Sequence, residues 1–205
     1  MDISLLDTSY PDSLPLPLYH SICIGSAQTP THQFDVMLGL DQRLIAEVKK
    51  FSLDEADVSL QDNTSDLKRF GTGSYETWYS KGRVPFALVE KTTGALAALV
   101  WFGPKPLGRK SMKYLSQDEL QKESSVASGN WHTVVYRSYV PYRGTGIMKD
   151  FLRTATDVYL KYFPDAILWT GVSRSNPGSI ALSGKLGYTI DESVSDPTWV
   201  AMVKR

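Results

Sequence analysis

Arg143, Gly144 and Gly146 stand in the tetrapeptide RGTG, directly ahead of a segment whose apolar residues recur at helical spacing. A helix start leaves its first backbone N–H groups unpaired and carries a partial positive charge, so it binds anions without a special side chain. Glycines at 144 and 146 would let an anionic group approach that backbone closely. The chemistry this spacing predicts is phosphate binding. The alternative is a turn that needs flexible residues, and the glycine spacing by itself does not decide between them. GTGIMK lacks the third glycine of a dinucleotide fingerprint, and the sequence has no GxxxxGK[ST] phosphate loop.

The elements around RGTG would hold such a site rigidly. Downstream, Ile147, Phe151, Val158 and Tyr162 form one stripe, with Met148, Leu152, Ala155 and Tyr159 beside it, enough to fasten a helix to a sheet. Upstream, Trp131–Val140 (WHTVVYRSYV) is rich in β-branched and aromatic residues and reads as a strand, as does Ala166–Val172 (AILWTGV). Strand, helix and strand in this order predict a crossover between parallel strands. Asn176 followed by Pro177 has the form of a helix N-cap with proline at the first position, and Gly187 is placed to end that helix after Leu186.

Elsewhere Val84–Glu90 and Ala95–Phe102, joined by KTTG, predict an antiparallel hairpin. Tyr19–Gly25 reads as a strand, and Gln33–Phe51 as one or two helices because Phe34, Met37, Leu38, Leu44, Ile45 and Val48 fall at helical spacing. Residues 1–18 hold Pro11, Pro15 and Pro17 and read as an extended arm. The acidic stretch after Phe51 reads as a solvated loop, followed by a short aromatic helix near Tyr75–Tyr79. Residues 103–130, with Lys105, Arg109, Lys110 and Lys113, read as a hydrophilic excursion. Tyr188–Glu192 and Trp199–Val203 read as closing strands, and an exposed final strand could pair across a dimer axis to give a homodimer.

Composition excludes several classes. Lys+Arg and Asp+Glu both number 22, so no net charge points to nucleic acid or an anionic membrane surface. Cys23 is the only cysteine, which excludes an internal disulfide framework and a multi-cysteine metal site, and fits a reducing, cytoplasmic location. The amino-terminal residues are acidic where a signal peptide needs basic ones, and no run approaches a membrane span. At 205 residues and 42% hydrophobic content, one domain spanning 1–205 is expected.

Two motifs together carry a resemblance. Arg143, Gly144, Thr145, Gly146 and Ile147 match the Arg/Gln-x-x-Gly-x-Gly/Ala hallmark of the GNAT superfamily of N-acetyltransferases, with Met148 departing at the last position. Asn176, Ser179, Ala181, Leu186, Gly187 and Tyr188 match its second motif, an asparagine, a small residue and a helix ending in Leu-Gly-aromatic. The resemblance is specific over 131–190, the expected cofactor-binding core, and topological before that. It implies an α/β fold with a central mixed sheet splayed into a V and flanked by helices, with acetyl-coenzyme A in the opening. The pyrophosphate would rest on the amides of 143–148, the pantetheine arm would pair with backbone at Ser138, Tyr139 and Val140, and Asn176 and Ser179 would meet that arm. No metal is implied.

The resemblance also implies transfer of an acetyl group to a primary amine of a small molecule, peptide or protein. That chemistry needs a neutral nucleophile, a donor that polarises the thioester carbonyl, and a proton for the departing thiolate. His132 is the first candidate base, sharing a strand face with Val134, Tyr136 and Ser138. Glu90 is the second. Both could instead be hydrogen-bonded strand ends. Ser183 stands where many family members place an acidic tyrosine, and Tyr136 or Tyr139 could serve the thiolate instead. Two other readings stay open: a coenzyme A-binding regulatory module without transfer, and a nucleotide site holding ATP phosphates. The amine itself leaves no motif; Asp54, Glu55, Asp57 and Asp66 could attract a cation, or form a solvated acidic loop.

Overall fold

The computed structural model describes residues 1–7, 10–110 and 129–205. Nine strands form one sheet: β1 (Asp2–Leu5), β2 (Ser21–Gln28), β3 (Gln33–Gly39), β4 (Val84–Glu90), β5 (Leu96–Pro104), β6 (Trp131–Ser138), β7 (Ile167–Ser173), β8 (Thr189–Asp191) and β9 (Trp199–Lys204). Their spatial order is β1-β2-β3-β4-β5-β6-β7-β9-β8. All neighbours are antiparallel except β6 and β7, which are parallel. The helices are α1 (Gln42–Leu53), α2 (Val58–Asn63), α3 (Tyr75–Tyr79), α4 (Ile147–Tyr162) and α5 (Pro177–Lys185). Among the described residues no helix is long and apolar enough to cross a membrane.

The central strands are apolar because both faces are covered. Every residue of β4 is buried, as is every residue of β5 before Pro104. On one face α4 packs Phe151, Leu152, Val158 and Tyr159 against Phe34, Phe86, Val100 and Phe102 of the sheet. On the other, Leu44 and Val48 of α1, Phe70, and Trp78 of α3 surround Leu99 and Trp101.

Several expectations are corrected. The amino-terminal arm contains a strand, β1, paired with β2 along Asp2–Gln28 to Leu5–Gly25. Gln33–Phe51 is not helical throughout. Phe34, Val36 and Leu38 are buried in alternation on β3, and the helix begins only after Asp41, whose carboxylate caps Leu44 N–H at 2.9 Å. Period two and period 3.6 coincide over so short a run, and the strand wins because β2, a short hairpin turn away, and β4 pair with its two edges. The final strand is not an exposed edge, since β9 pairs with β7 on one side and β8 on the other. Of the 103–130 excursion, Lys105, Arg109 and Lys110 are described, and Lys113 lies outside the described residues.

The parallel pair is short. Trp131, His132 and Thr133 pair with Ile167, Leu168 and Trp169, and there the pairing stops, although β6 continues to Ser138 and β7 to Ser173. The sheet opens into a V beyond Thr133, and β6 stays fully paired to β5 along its other edge.

Candidate active site

A cleft of ≈ 650 Å³ occupies this opening. Its walls are the end of β6 (Tyr136, Ser138), the glycine loop and first turn of α4 (Gly146, Met148), the start of α5 (Asn176, Ser179) and the outer face of α2. Strand alternation turns the backbone of Tyr139 toward β5, where its N–H donates to Ala97 O at 2.9 Å, and turns the N–H and C=O of Tyr136 and Ser138 toward the gap. The splayed edge thus offers strand donors to an extended, amide-containing ligand.

The glycine loop is open on the side where a ligand would lie. Gly144 and Gly146 have φ of 79° and 82°, and a Cβ built at either position meets nothing within 4 Å. Gly146 caps α4 with no side-chain hydrogen bond, so the first N–H groups of that helix have no side-chain cap. Of the four cations lining the cleft, Arg137 and Arg143 are paired with Asp66 and Asp57, which leaves Lys149 and Lys185 as its lining charge. Helix dipole, glycine loop and these two lysines all favour a polyanion.

The Arg143 side chain is engaged within the protein. Its guanidinium makes two bonds to Asp57, at 2.8 and 2.7 Å, and its Nε donates to Ser138 O at 3.2 Å. Hydrogen bonding to Asp57 raises the Arg143 pKa, and the same pairing with Arg143 lowers that of Asp57 against the effect of burial. Its side chain therefore braces the loop, and what it offers an anion is its backbone. Asn176 is similarly engaged: Oδ1 accepts from Ser179 N–H at 3.1 Å and Nδ2 donates to Asn63 Oδ1 at 3.0 Å.

The proton-transfer candidates separate. His132 lies six residues before Ser138, about 20 Å along an extended strand, at the closed end of the V. It is buried against Tyr159 and Phe163, shares a 2.6 Å hydrogen bond with the Tyr159 hydroxyl, and has its pKa lowered by burial and then by Arg83. The structure does not bring it to the cleft. His132→Gln is accordingly expected to leave ligand binding in the cleft within about twofold while costing about 1–2 kcal/mol of stability through the lost hydrogen bond. Calorimetry and urea unfolding check this pair of outcomes.

Glu90 closes its own hairpin, accepting from Thr93 N–H at 2.7 Å and Thr93 Oγ1 at 2.8 Å, and is absent from the cleft lining. Tyr136 and Ser183, offered by the sequence as alternatives, are joined. The Tyr136 hydroxyl donates to Ser179 O at 3.1 Å and lies 2.9 Å from Ser183 Oγ. Tyr136 lines the cleft, and Ser183 is buried behind it. Burial raises the Tyr136 pKa, so the phenol stays protonated.

The side chains of three further expected residues lie elsewhere. Tyr139 is buried on the opposite face of the sheet, stacked on Phe51 at 4.4 Å. Val140 is exposed, and Thr145 Oγ1 donates to Tyr142 O at 2.6 Å and faces a second hollow beside Thr29 and Pro30. The acidic loop is not simply solvated. Besides Asp57, Asp66 is buried and accepts from Arg137 Nη2 at 2.7 Å, from Arg137 Nε, and from Arg69 Nη1 at 2.5 Å, with both guanidinium groups over the Trp101 ring. Among the described residues no group of three or more His, Cys, Asp or Glu side chains converges to hold a metal.

No protein-family model and no curated protein matches the sequence. The structure matches solved acetyltransferases. The GNAT domain of PAT from S. lividans is 13% identical, with 87% of this chain and 95% of that chain covered and a TM-score of 0.56. An acetyltransferase from Agrobacterium tumefaciens is 16% identical, with 93% and 99% covered and a TM-score of 0.57. An aminoglycoside acetyltransferase in complex with coenzyme A is 13% identical, with 82% and 94% covered and a TM-score of 0.56. At such identities the likeness establishes the fold.

Proposed function

Because the chain has the fold of the GNAT acetyltransferases, we propose that it is an acetyl-coenzyme A-dependent N-acetyltransferase acting on a primary amine of a small molecule or peptide. The observation that carries this reading is the abrupt end of β6–β7 pairing at Thr133 and Trp169, which frees strand donors beside an open, cation-lined glycine loop. A matched neighbour holds coenzyme A, whose diphosphate and amide-bearing arm are the two chemistries these features suit.

The residues divide the work. Amides of 144–148 at the head of α4 hold the diphosphate, with Lys149 and Lys185 adding charge at the rim. The Ser138 N–H, directed into the gap, holds the arm or polarises the thioester carbonyl. The thioester supplies an activated acetyl group: the amine nitrogen bonds to its carbonyl carbon as the carbon–sulfur bond breaks. Tyr136, backed by Ser183, turns its hydroxyl from Ser179 O to donate the proton that the leaving sulfur needs and regains a proton from solvent, which takes up the proton of the attacking amine.

Thiol release is the test. With acetyl-coenzyme A and a panel of polyamines, aminoglycosides, amino acids and peptides, at least one amine is expected to release free thiol with stoichiometric acetylated product. Binding of acetyl-coenzyme A without thiol release from any amine would favour a regulatory module, and no binding would reject the assignment.

A further inference from the structure

α2 bridges the two lips of the cleft. At its start, the Asp57 carboxylate caps the helix through Leu60 N–H at 3.0 Å and grips Arg143 on the glycine-loop side. At its end, Asn63 Oδ1 accepts from Asn176 Nδ2 on the α5 side. Ser59, Asn63 and Thr64 line the same cleft as Ser138 and Asn176. The helix has only six residues and only Leu60 of it is buried, so packing holds it weakly; Gln61 Nε2 ties it to Ser52 O at 3.2 Å and Asp54 O at 2.9 Å, and the two end bonds fix it across the cleft.

The Asp57–Arg143 pair reaches further than α2. Its geometry leaves Arg143 Nε on Ser138 O, so one arginine ties α2, the end of β6 and the start of the glycine loop together. A bidentate carboxylate–guanidinium pair fixes orientation as well as distance.

We propose that Asp57, acting through Arg143, is a positioning residue that fastens α2 as a wall over the arm-binding stretch of the cleft, with Asn63 as the second fastening. This rests on reading the cleft as a coenzyme A site. The wall is fastened to Arg143, which holds Ser138 O, and to Asn176, the residues that flank the stretch where an extended arm would lie. Its contribution therefore falls on ligands that carry the pantetheine arm.

Two probes separate that role from a general structural one: acetyl-coenzyme A, and adenosine 3′-phosphate 5′-diphosphate, which has the nucleotide and the diphosphate without the arm. By calorimetry, Asp57→Asn is expected to weaken acetyl-coenzyme A about tenfold by losing a preorganised wall, and to leave the arm-less nucleotide within about twofold. Asp57→Glu, which keeps the charge, is expected to recover most of the loss. Unchanged or tighter acetyl-coenzyme A binding in Asp57→Asn, or parallel weakening of both probes, would overturn the proposal. Should Asp57→Asn not fold, Asn63→Ala reads the same split at the other lip, with about threefold expected for acetyl-coenzyme A alone. If the parent protein binds neither probe, the reading of the cleft fails; if it binds both and the variants match it, only the wall does.

Discussion

Gly146→Val is expected to weaken acetyl-coenzyme A binding by about 100-fold or more while leaving a folded protein, because it fills the space above the helix amides that the diphosphate needs. Gly146 has φ of 82°, a conformation that a β-branched residue adopts only under strain. The strain costs about 1–2 kcal/mol in stability. Nothing lies within 4 Å of the position a Cβ would take, so the substitution disturbs no existing packing, and its effect on binding reads the ligand's use of that space. Gly146→Ala carries similar strain with less bulk and should lose less affinity at similar stability. Calorimetry beside urea unfolding checks both, and equal affinities in all three proteins would place the phosphates elsewhere.

Asp66→Asn is the second large effect, and it falls on stability. The carboxylate is 1% exposed and is shared by Arg137 and Arg69. Replacing it by a neutral amide leaves two cations beside Trp101 without a counter-charge, and breaking such a pair typically costs about 3–5 kcal/mol. Burial pushes the Asp66 carboxyl up, but Arg137 and Arg69 outweigh it and hold the folded pKa below the usual aspartate value. A depressed carboxyl contributes stability that is fully present above its unfolded pKa and lost as the pH falls through the folded one. The parent protein should therefore lose urea resistance below about pH 4, and the variant should show a weaker acid dependence. A loss under about 1 kcal/mol at neutral pH would mean that the two arginines are held by their aromatic contacts instead.

The sequence was most legible where one local rule acts. The Asn176 cap, the hairpin on either side of KTTG and the helix after Gly146 each follow from a turn residue and an uninterrupted apolar period, and the structure has all three. Gln33–Gly39 escapes a reading of its own periodicity because its strand character comes from the pairing of both edges, with β2 across a tight turn and with the distant β4. The same limit governs the site. Gly144, Gly146, Ser138 and Asn176 meet in one cleft because a single crossover joins them, and a crossover is written in consecutive sequence.

His132 shows the limit of strand alternation, which gives the face of a residue but not the end of the strand at which the sheet opens. It shares a face with Tyr136, yet sits where β6 and β7 still pair. The pairs Asp57–Arg143 and Asp66–Arg137 were hidden for a different reason, since each joins residues more than 70 positions apart. The one local signal was the aspartate ahead of VSLQ, which marks a helix start and so a fixed carboxylate.

The most direct test of the central claim is a crystal structure with acetyl-coenzyme A. The account predicts the diphosphate on the amides of 144–148 and the pantetheine arm laid along β6 at Tyr136 and Ser138, with the acetyl group beside the Tyr136 hydroxyl. Density for the coenzyme outside the β6–β7 opening, or an empty opening at saturating ligand, would contradict it.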